Sequence, residues 1–310
     1  MSFPRQIERP AMDTITLAVP AAAVSPIRRS YGYLALSPAA VFLSVFFALP
    51  MGMMIGISFS QEGAGGFSVE SYRRFFTDGL SVAGFCRTAV MSGLVAIAVT
   101  VLGYPVAYFL ARSRSRWRAV VFALALAPEL AGVVLRTYGW LIILEDRGFI
   151  NDVLLDLGLI SSPLPLSKNL FAVVVGLTHV VLPFGILSLM TSIQGIDESL
   201  ERAAQMLGAS RVAVIRHVIV PLSVPGIVSS LLLSFTMAAS AYATPALLGG
   251  AGFKVLATMI SEQVLFYIDW PFAAVMANAL LLLMLVISFA GVRLEARHRT
   301  RRSGAGRATA

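Results

Sequence analysis

The sequence predicts an all-α protein that crosses a membrane six times, on three observations. Hydrophobic residues make up 57% of the 310 positions and charged residues 13%, with a mean hydropathy of +0.82. Soluble domains carry about 45–50% and about 25%. Six apolar stretches reach the roughly 20 residues that a helix needs to cross the hydrocarbon core. None alternates with period two, and all exceed the about 9–11 residues of a barrel strand. The same balance excludes disorder, a coiled coil and an ordinary soluble enzyme.

The predicted spans lie near 34–58, 88–110, 118–143, 170–193, 222–247 and 272–292. Before them, residues 1–32 read as a polar, proline-dotted basic arm, expected to be disordered and not a signal peptide. The first span occupies 33–60, and 61–85 is an outer loop. Within that loop, residues 67–78 place Val69, Tyr72, Phe75 and Phe76 on one helical face, as an interfacial helix does. A core of five spans covers 86–292, and a basic tail, expected to be disordered, covers 293–310.

Six spans put both termini on one side, and the net charge of +8 shows which. With the termini cytoplasmic, the inner segments hold 17 cations against six acids, and the outer segments six cations against nine acids. This is the positive-inside pattern. The basic pI of 10.1 therefore reports orientation, and no nucleic-acid partner is expected. The arm and tail are basic enough to lie on anionic lipid. Cys86 is the single cysteine, so an internal disulfide and a cysteine metal cluster are both excluded.

The segment between the fourth and fifth spans, 197–221, has its own pattern. Leu200, Ala203, Ala204 and Leu207 fall at i, i+3, i+4 and i+7, the stripe of a short helix. Asp197 stands at its N-cap and Gly208 at its C′ position. A second helix starts near Ser210 and ends around Val220, where Pro221 breaks it. Such helices are too short to be stable alone. Pattern alone leaves two readings, a connector packed on its own bundle or a docking element.

The stretch ERAAQMLGAS…VIVPLSVPGI (201–227) resembles the EAA motif of binding-protein-dependent ABC transporter permeases, the type I importers of MetI-like fold. The family's glutamate would fall on Arg202; the acid here is Glu201, and Val220 precedes the proline where leucine is usual. The resemblance extends over roughly 30–295. CRTAVMSGLVAIAVTVLGYPVAYFLARSRSRWR, LRTYGWLIIL, FAVVVGLTHVVLPFGILSLMTSI and ATPALLGG follow the order of spermidine/putrescine-type permeases.

The resemblance implies a permease subunit of an importer in a bacterial inner membrane, working by alternating access. It implies three partners: a cytosolic ABC ATPase dimer, a second permease subunit (homologous or identical) and an extracytoplasmic solute-binding protein. Glu201, Arg202, Ala203, Ala204, Leu207, Gly208, Ala209 and Pro221 would form the coupling element that docks in the ATPase. The cargo that the resemblance implies is a small solute such as a polyamine or similar small organic ion. Polyamine members carry an acid near the ATPALLGG stretch, where this chain has Ala241.

Several chemistries are excluded. The two lysines, Lys168 and Lys254, lack the glycine frame of a phosphate-binding loop, so ATP and magnesium would bind the partner ATPase and no cofactor is expected here. The three histidines are isolated from one another, and no hydrolase elbow is present, so no enzyme activity is expected. A secondary transporter or channel remains the alternative, and it leaves the 197–221 loop without a role.

Charge within the spans is confined to Glu129 and Arg136. Along an unbroken helix from Trp117 they lie about 18 Å and about 29 Å away. Arg136 would then reach the outer interface, leaving Glu129 near mid-membrane, protonated, paired or facing the translocation path. Tyr138, Ser240, Tyr242 and Thr244 complete the path candidates; for Tyr138 an aromatic belt position is the other reading.

Overall fold

A computed structural model describes residues 37–60 and 66–307. The arm expected at 1–32 lies outside them. The described chain divides after Gly52 into two units, 37–52 and 53–307. The first unit is helical, contains a π turn at Ser44–Ala48, and brings the tilted Phe42 and Phe46 rings to 4.7 Å between centroids.

The protein is an all-helical membrane protein. Among the described residues the only extended pairing is the single bridge Ser60–Phe67. Four helices among the described residues are long and apolar enough to cross a membrane: α1 (Ser37–Ser58), α3 (Gly79–Arg112), α7 (Leu170–Gln194) and the Trp270–Ala296 part of α13. Two bent pairs bring the number to six if each is one span.

The stretch expected as the third span falls in the first of these pairs, and it departs from the straight helix expected at 118–143. α4 (Trp117–Leu126) runs into a 3-10 turn at Ala127–Leu130, and α5 (Val133–Leu144) restarts after Ala131 and Gly132 in extended backbone. The segments Trp117–Leu130 and Val133–Asp156, the second of which includes α6 (Phe149–Asp156), meet at 99°. Pro128, with no N–H for the ladder, and Gly132 at the restart are the cause. The second pair contains the start of the expected fifth span. α9 (Arg211–Leu222) and α10 (Val224–Ala239) meet at 69° across Ser223. α10 then stops at Ala239, short of the expected 247, and Ala243–Leu248 forms a separate helix, α11.

α3, α7 and α10 form the heart of the second unit. Small residues let the three backbones approach, as in membrane bundles generally. A Cβ added at Gly185 of α7 would lie 2.3 Å from Val99 of α3, and one at Gly226 of α10 would lie 2.2 Å from the Ser192 Cβ of α7. Met91, Val95, Val99, Val173, Leu177 and Val181 fill the space between α3 and α7. Thr100 and Ser230 share a hydrogen bond of 3.3 Å across α3 and α10.

α2 (Glu70–Thr77) occupies the place of the expected interfacial helix. Its face splits: Phe75 is buried against Phe272 and Met276 of α13, whereas Phe76 is exposed. Tyr72 bonds Ser58 at the end of α1 at 2.9 Å and accepts from Asn278 at 3.3 Å. Arg74 pairs with Asp269 at 2.7 Å and lies over the Phe272 ring at 4.1 Å. Asp78 caps α3 through the Leu80 and Ser81 amides and accepts from the Ser81 hydroxyl at 2.6 Å. That hydroxyl bond, foremost among these contacts, holds the Asp78 carboxyl below its ordinary range.

α12 (Leu256–Glu262) precedes a π turn at Gln263–Tyr267, and Ile268 has a left-handed φ of 57°. The last helix corrects one expectation. Helix α13 is continuous over Trp270–Arg307, so the tail expected to be disordered from 293 continues the sixth span. Residues 293–300 contain no proline or glycine to end it.

Candidate functional site

The segment between α7 and α9 forms a tight elbow. α8 (Glu198–Met206) starts at Asp197, whose side chain accepts from the Ser199 amide at 2.8 Å. It ends in a Schellman turn. The Ala209 amide donates to the Ala204 carbonyl at 3.1 Å and the Gly208 amide to the Gln205 carbonyl at 2.9 Å. This turn requires a left-handed residue, and Gly208 has φ +87°. Ser210 then caps α9 by accepting from the Ala213 amide at 3.2 Å.

The expected stripe on α8 does not act as one face. Ala204 and Ala209 pack with Leu110, Ile186, Leu189 and Ile219. Ala203 is exposed, Leu200 is half-exposed, and Leu207 is 90% exposed. Leu207 is the C-cap, where the chain leaves the helix and the periodicity no longer applies. Met206 and Val212 are exposed beside it, which gives the elbow an apolar tip. Arg202 lies in solvent and pairs with Glu198 at 3.4 Å, a surface pair of small energetic weight. Pro221 does not end the second helix at Val220 as expected. A π turn at Ile215–Ile219 loosens the ladder ahead of this proline, and the helix continues to Leu222.

Glu201 faces its own bundle. It is 9% exposed and accepts from Arg112 Nε at 2.6 Å and from the Tyr108 hydroxyl at 3.2 Å. Arg112 also donates to the Ile196 carbonyl in the α7–α8 turn at 2.8 Å. From the sequence, Arg112 is one of the inner orientation charges and Tyr108 has no assigned role. The visible signal was spacing: Tyr104, Tyr108 and Arg112 recur at i, i+4 and i+8 in an otherwise apolar span.

The path candidates are brought together only in part. Arg136 does not reach outward as the straight-helix count predicted. The break at Ala131–Gly132 folds α5 back, so that Arg136 Nη1 donates to Glu129 Oε1 at 2.8 Å. The Arg136 side chain is 6% exposed and that of Glu129 is 31% exposed. Around the pair, Trp140 Nε1 donates to His179 Nδ1 at 3.1 Å, and Thr137 and Thr244 share a hydrogen bond of 3.2 Å. Buried Arg136 Nε and Thr178 Oγ1 have no hydrogen-bond partner among the described residues. Tyr138 lies about 200° around the helix from Arg136 and is half-exposed. Ser240 turns back to the Thr236 and Met237 carbonyls. Tyr242 opens on a different cavity of about 260 Å³, whose wall carries the Lys254–Glu262 ion pair at 2.6 Å.

Comparison with known proteins gives this geometry a family. Residues 99–300 match the family model described as the binding-protein-dependent transport system inner membrane component. The spermidine/putrescine transport system permease protein PotB of Escherichia coli (strain K12) is 33% identical over 248 residues, covering 78% of this chain and 90% of that protein. PotB of Haemophilus influenzae is 29% identical over 253 residues, covering 80% and 88%. A chain of a bacterial ABC transporter involved in import of the acidic polysaccharide alginate superposes with a TM-score of 0.72 at 19% identity, covering 87% of this chain and 97% of that one. A chain of the inward-facing MetNI methionine ABC transporter superposes at 0.55 and 19% identity, covering 71% and 96%. These two likenesses show the fold, and the family match covers the elbow and the last four predicted spans together. The chain therefore belongs to the binding-protein-dependent transport system inner membrane components, as a non-catalytic permease subunit of an ABC importer.

Proposed function

We propose that this permease subunit carries a small organic cation of the polyamine class, and that the α8–Gly208–α9 elbow docks with a separate ATPase that holds ATP and magnesium. The observation that carries the docking assignment is the elbow's apolar tip. Met206, Leu207 and Val212 are more than 70% exposed, while Glu201 ties the helix behind them to its own bundle. A rigid, short helix with unburied apolar side chains fits a groove in a partner. The cation excess of the segments flanking the spans supports cytoplasmic termini and a cytoplasmic elbow. In this orientation an extracytoplasmic solute-binding protein delivers cargo on the opposite side, and a second permease subunit completes the path.

Two facts support a cationic cargo. The relatives named above are spermidine/putrescine permeases. Glu129 uses one carboxylate oxygen for Arg136 and leaves its side chain partly open. An ammonium group can compete for that carboxylate. The test is ATP-driven uptake in proteoliposomes holding the complete complex, with the wild-type chain and with Glu129→Gln. Hydrogen bonds to charged groups contribute about 1.5–3 kcal/mol, so the variant should lose roughly tenfold or more in spermidine uptake. Unchanged uptake would remove Glu129 from recognition. Uptake of an anion in place of any polyamine would overturn the substrate class.

A further inference from the structure

The inner end of α3 carries three polar side chains on one face, and together they reach two parts of the elbow. Arg112 bonds Glu201 of α8 at 2.6 Å and the Ile196 carbonyl in the α7–α8 turn at 2.8 Å. Tyr108, one turn back, donates to Glu201 at 3.2 Å. Tyr104, a further turn back, bonds the Ser223 hydroxyl at 2.9 Å. Ser223 is fully buried and is the residue at which α9 and α10 bend by 69°. Its hydroxyl also donates to the Val220 carbonyl at 3.2 Å.

We infer that Tyr104, Tyr108 and Arg112 are the positioning residues that couple the elbow to the bundle, with Glu201 and Ser223 as their two points of attachment. The spacing i, i+4, i+8 places all three along one edge of α3, whose helix runs on through Pro105 between the two tyrosines. That edge spans the elbow from its first helix to the bend that opens the fifth span. Pushing α8 therefore moves α3 through Arg112 and Tyr108. The same displacement acts on the α9–α10 bend through Tyr104. Packing alone does not explain the arrangement. The apolar contacts of Ala204, Ala209 and Ile219 already seat the elbow, and leucine or phenylalanine at 104 and 108 would fill the same space. The Arg112 and Glu201 side chains are each only 12% exposed, so their attraction is little screened. In this chain the acid of the motif thus works inward, and contact with the ATPase falls to the exposed tip.

The inference rests on the elbow being the docking surface, and the experiment separates the two. Complexes are assembled with the wild-type chain, Glu201→Gln, Tyr104→Phe, and the exchanged pair Arg112→Glu with Glu201→Arg. Transport and ATP hydrolysis are measured on the same proteoliposomes. Coupling between sites typically spans about 5–150-fold. Transport per ATP hydrolysed should fall within that range for Glu201→Gln. Tyr104→Phe, which removes one hydroxyl and keeps the ring, should fall in the same direction, and the exchanged pair should recover part of the loss. A merely structural role would lower transport and hydrolysis together and leave their ratio unchanged; that result overturns the inference. Loss of the ATPase from the Glu201→Gln complex would make Glu201 a docking residue and also overturn it. If the wild-type elbow does not bind the ATPase, the docking assignment itself fails.

Discussion

Gly208 offers the most direct test of the elbow, because its cost on substitution is purely conformational. At φ +87° a Cβ would meet no atom within 4 Å. Steric overlap therefore contributes nothing, and the penalty is that of a left-handed L-residue, about 1–2 kcal/mol for alanine. Such an energy changes a population by a factor of about 5–30. Asparagine, which visits this region more readily, should cost less, and β-branched valine more. The expected order of ATPase affinity is glycine, asparagine, alanine, valine, with alanine about 5–30-fold below the wild type. Membrane insertion should be the same throughout, since position 208 lies outside the spans. The assay is titration of the purified permease with its ATPase in detergent. Wild-type affinity in Gly208→Val would refute the reasoning, because it would mean that the Schellman turn does not set the elbow.

Two further outcomes follow from the packing. Gly226→Ala places a methyl 2.2 Å from the Ser192 Cβ, and overpacking of this kind costs about 1–3 kcal/mol; thermal unfolding in detergent should show the loss, and Ser192→Gly in the same chain should restore most of it. Asp78 is held below the ordinary carboxylate range by Ser81 and the cap amides. Its contribution to stability is therefore complete above the unfolded value near 3.8 and is lost as pH falls through the lowered folded value. Asp78→Asn keeps a cap and should flatten this acid limb in a melting-temperature profile against pH.

The spans, the elbow and the glycine that turns it were legible because each rests on a local rule. Apolar length defined the spans, and Asp197 and Gly208 stand where cap chemistry requires them. The Arg136–Glu129 pair was not legible in the same way. Its geometry depends on a 99° break whose angle no local rule specifies, and a count along a straight helix runs through it. Glu201 illustrates the other limit. Its direction is set by Arg112 and Tyr108, about 90 residues earlier in the chain, so the motif could name the residue without telling which way it points. The stripe through Leu207 misled for a simpler reason: helical periodicity ends at the C-cap.

The closeness of Arg136 and Glu129 has an electrical consequence. Apart from Arg118 at the very start of the third, these are the only two charges of Asp, Glu, Lys or Arg type within the predicted spans, and they are opposite. A charge crossing a membrane does work of about 2.3 kcal/mol per 100 mV. A dipole of two neighbouring charges that moves as a unit does almost none. Rocking of these spans is therefore nearly invisible to the membrane potential, which acts on the cargo alone. An importer built this way draws its stroke from ATP, while the interior-negative potential pulls a cation in the productive direction. Current measured during uptake should count the charges of the solute and nothing of the protein.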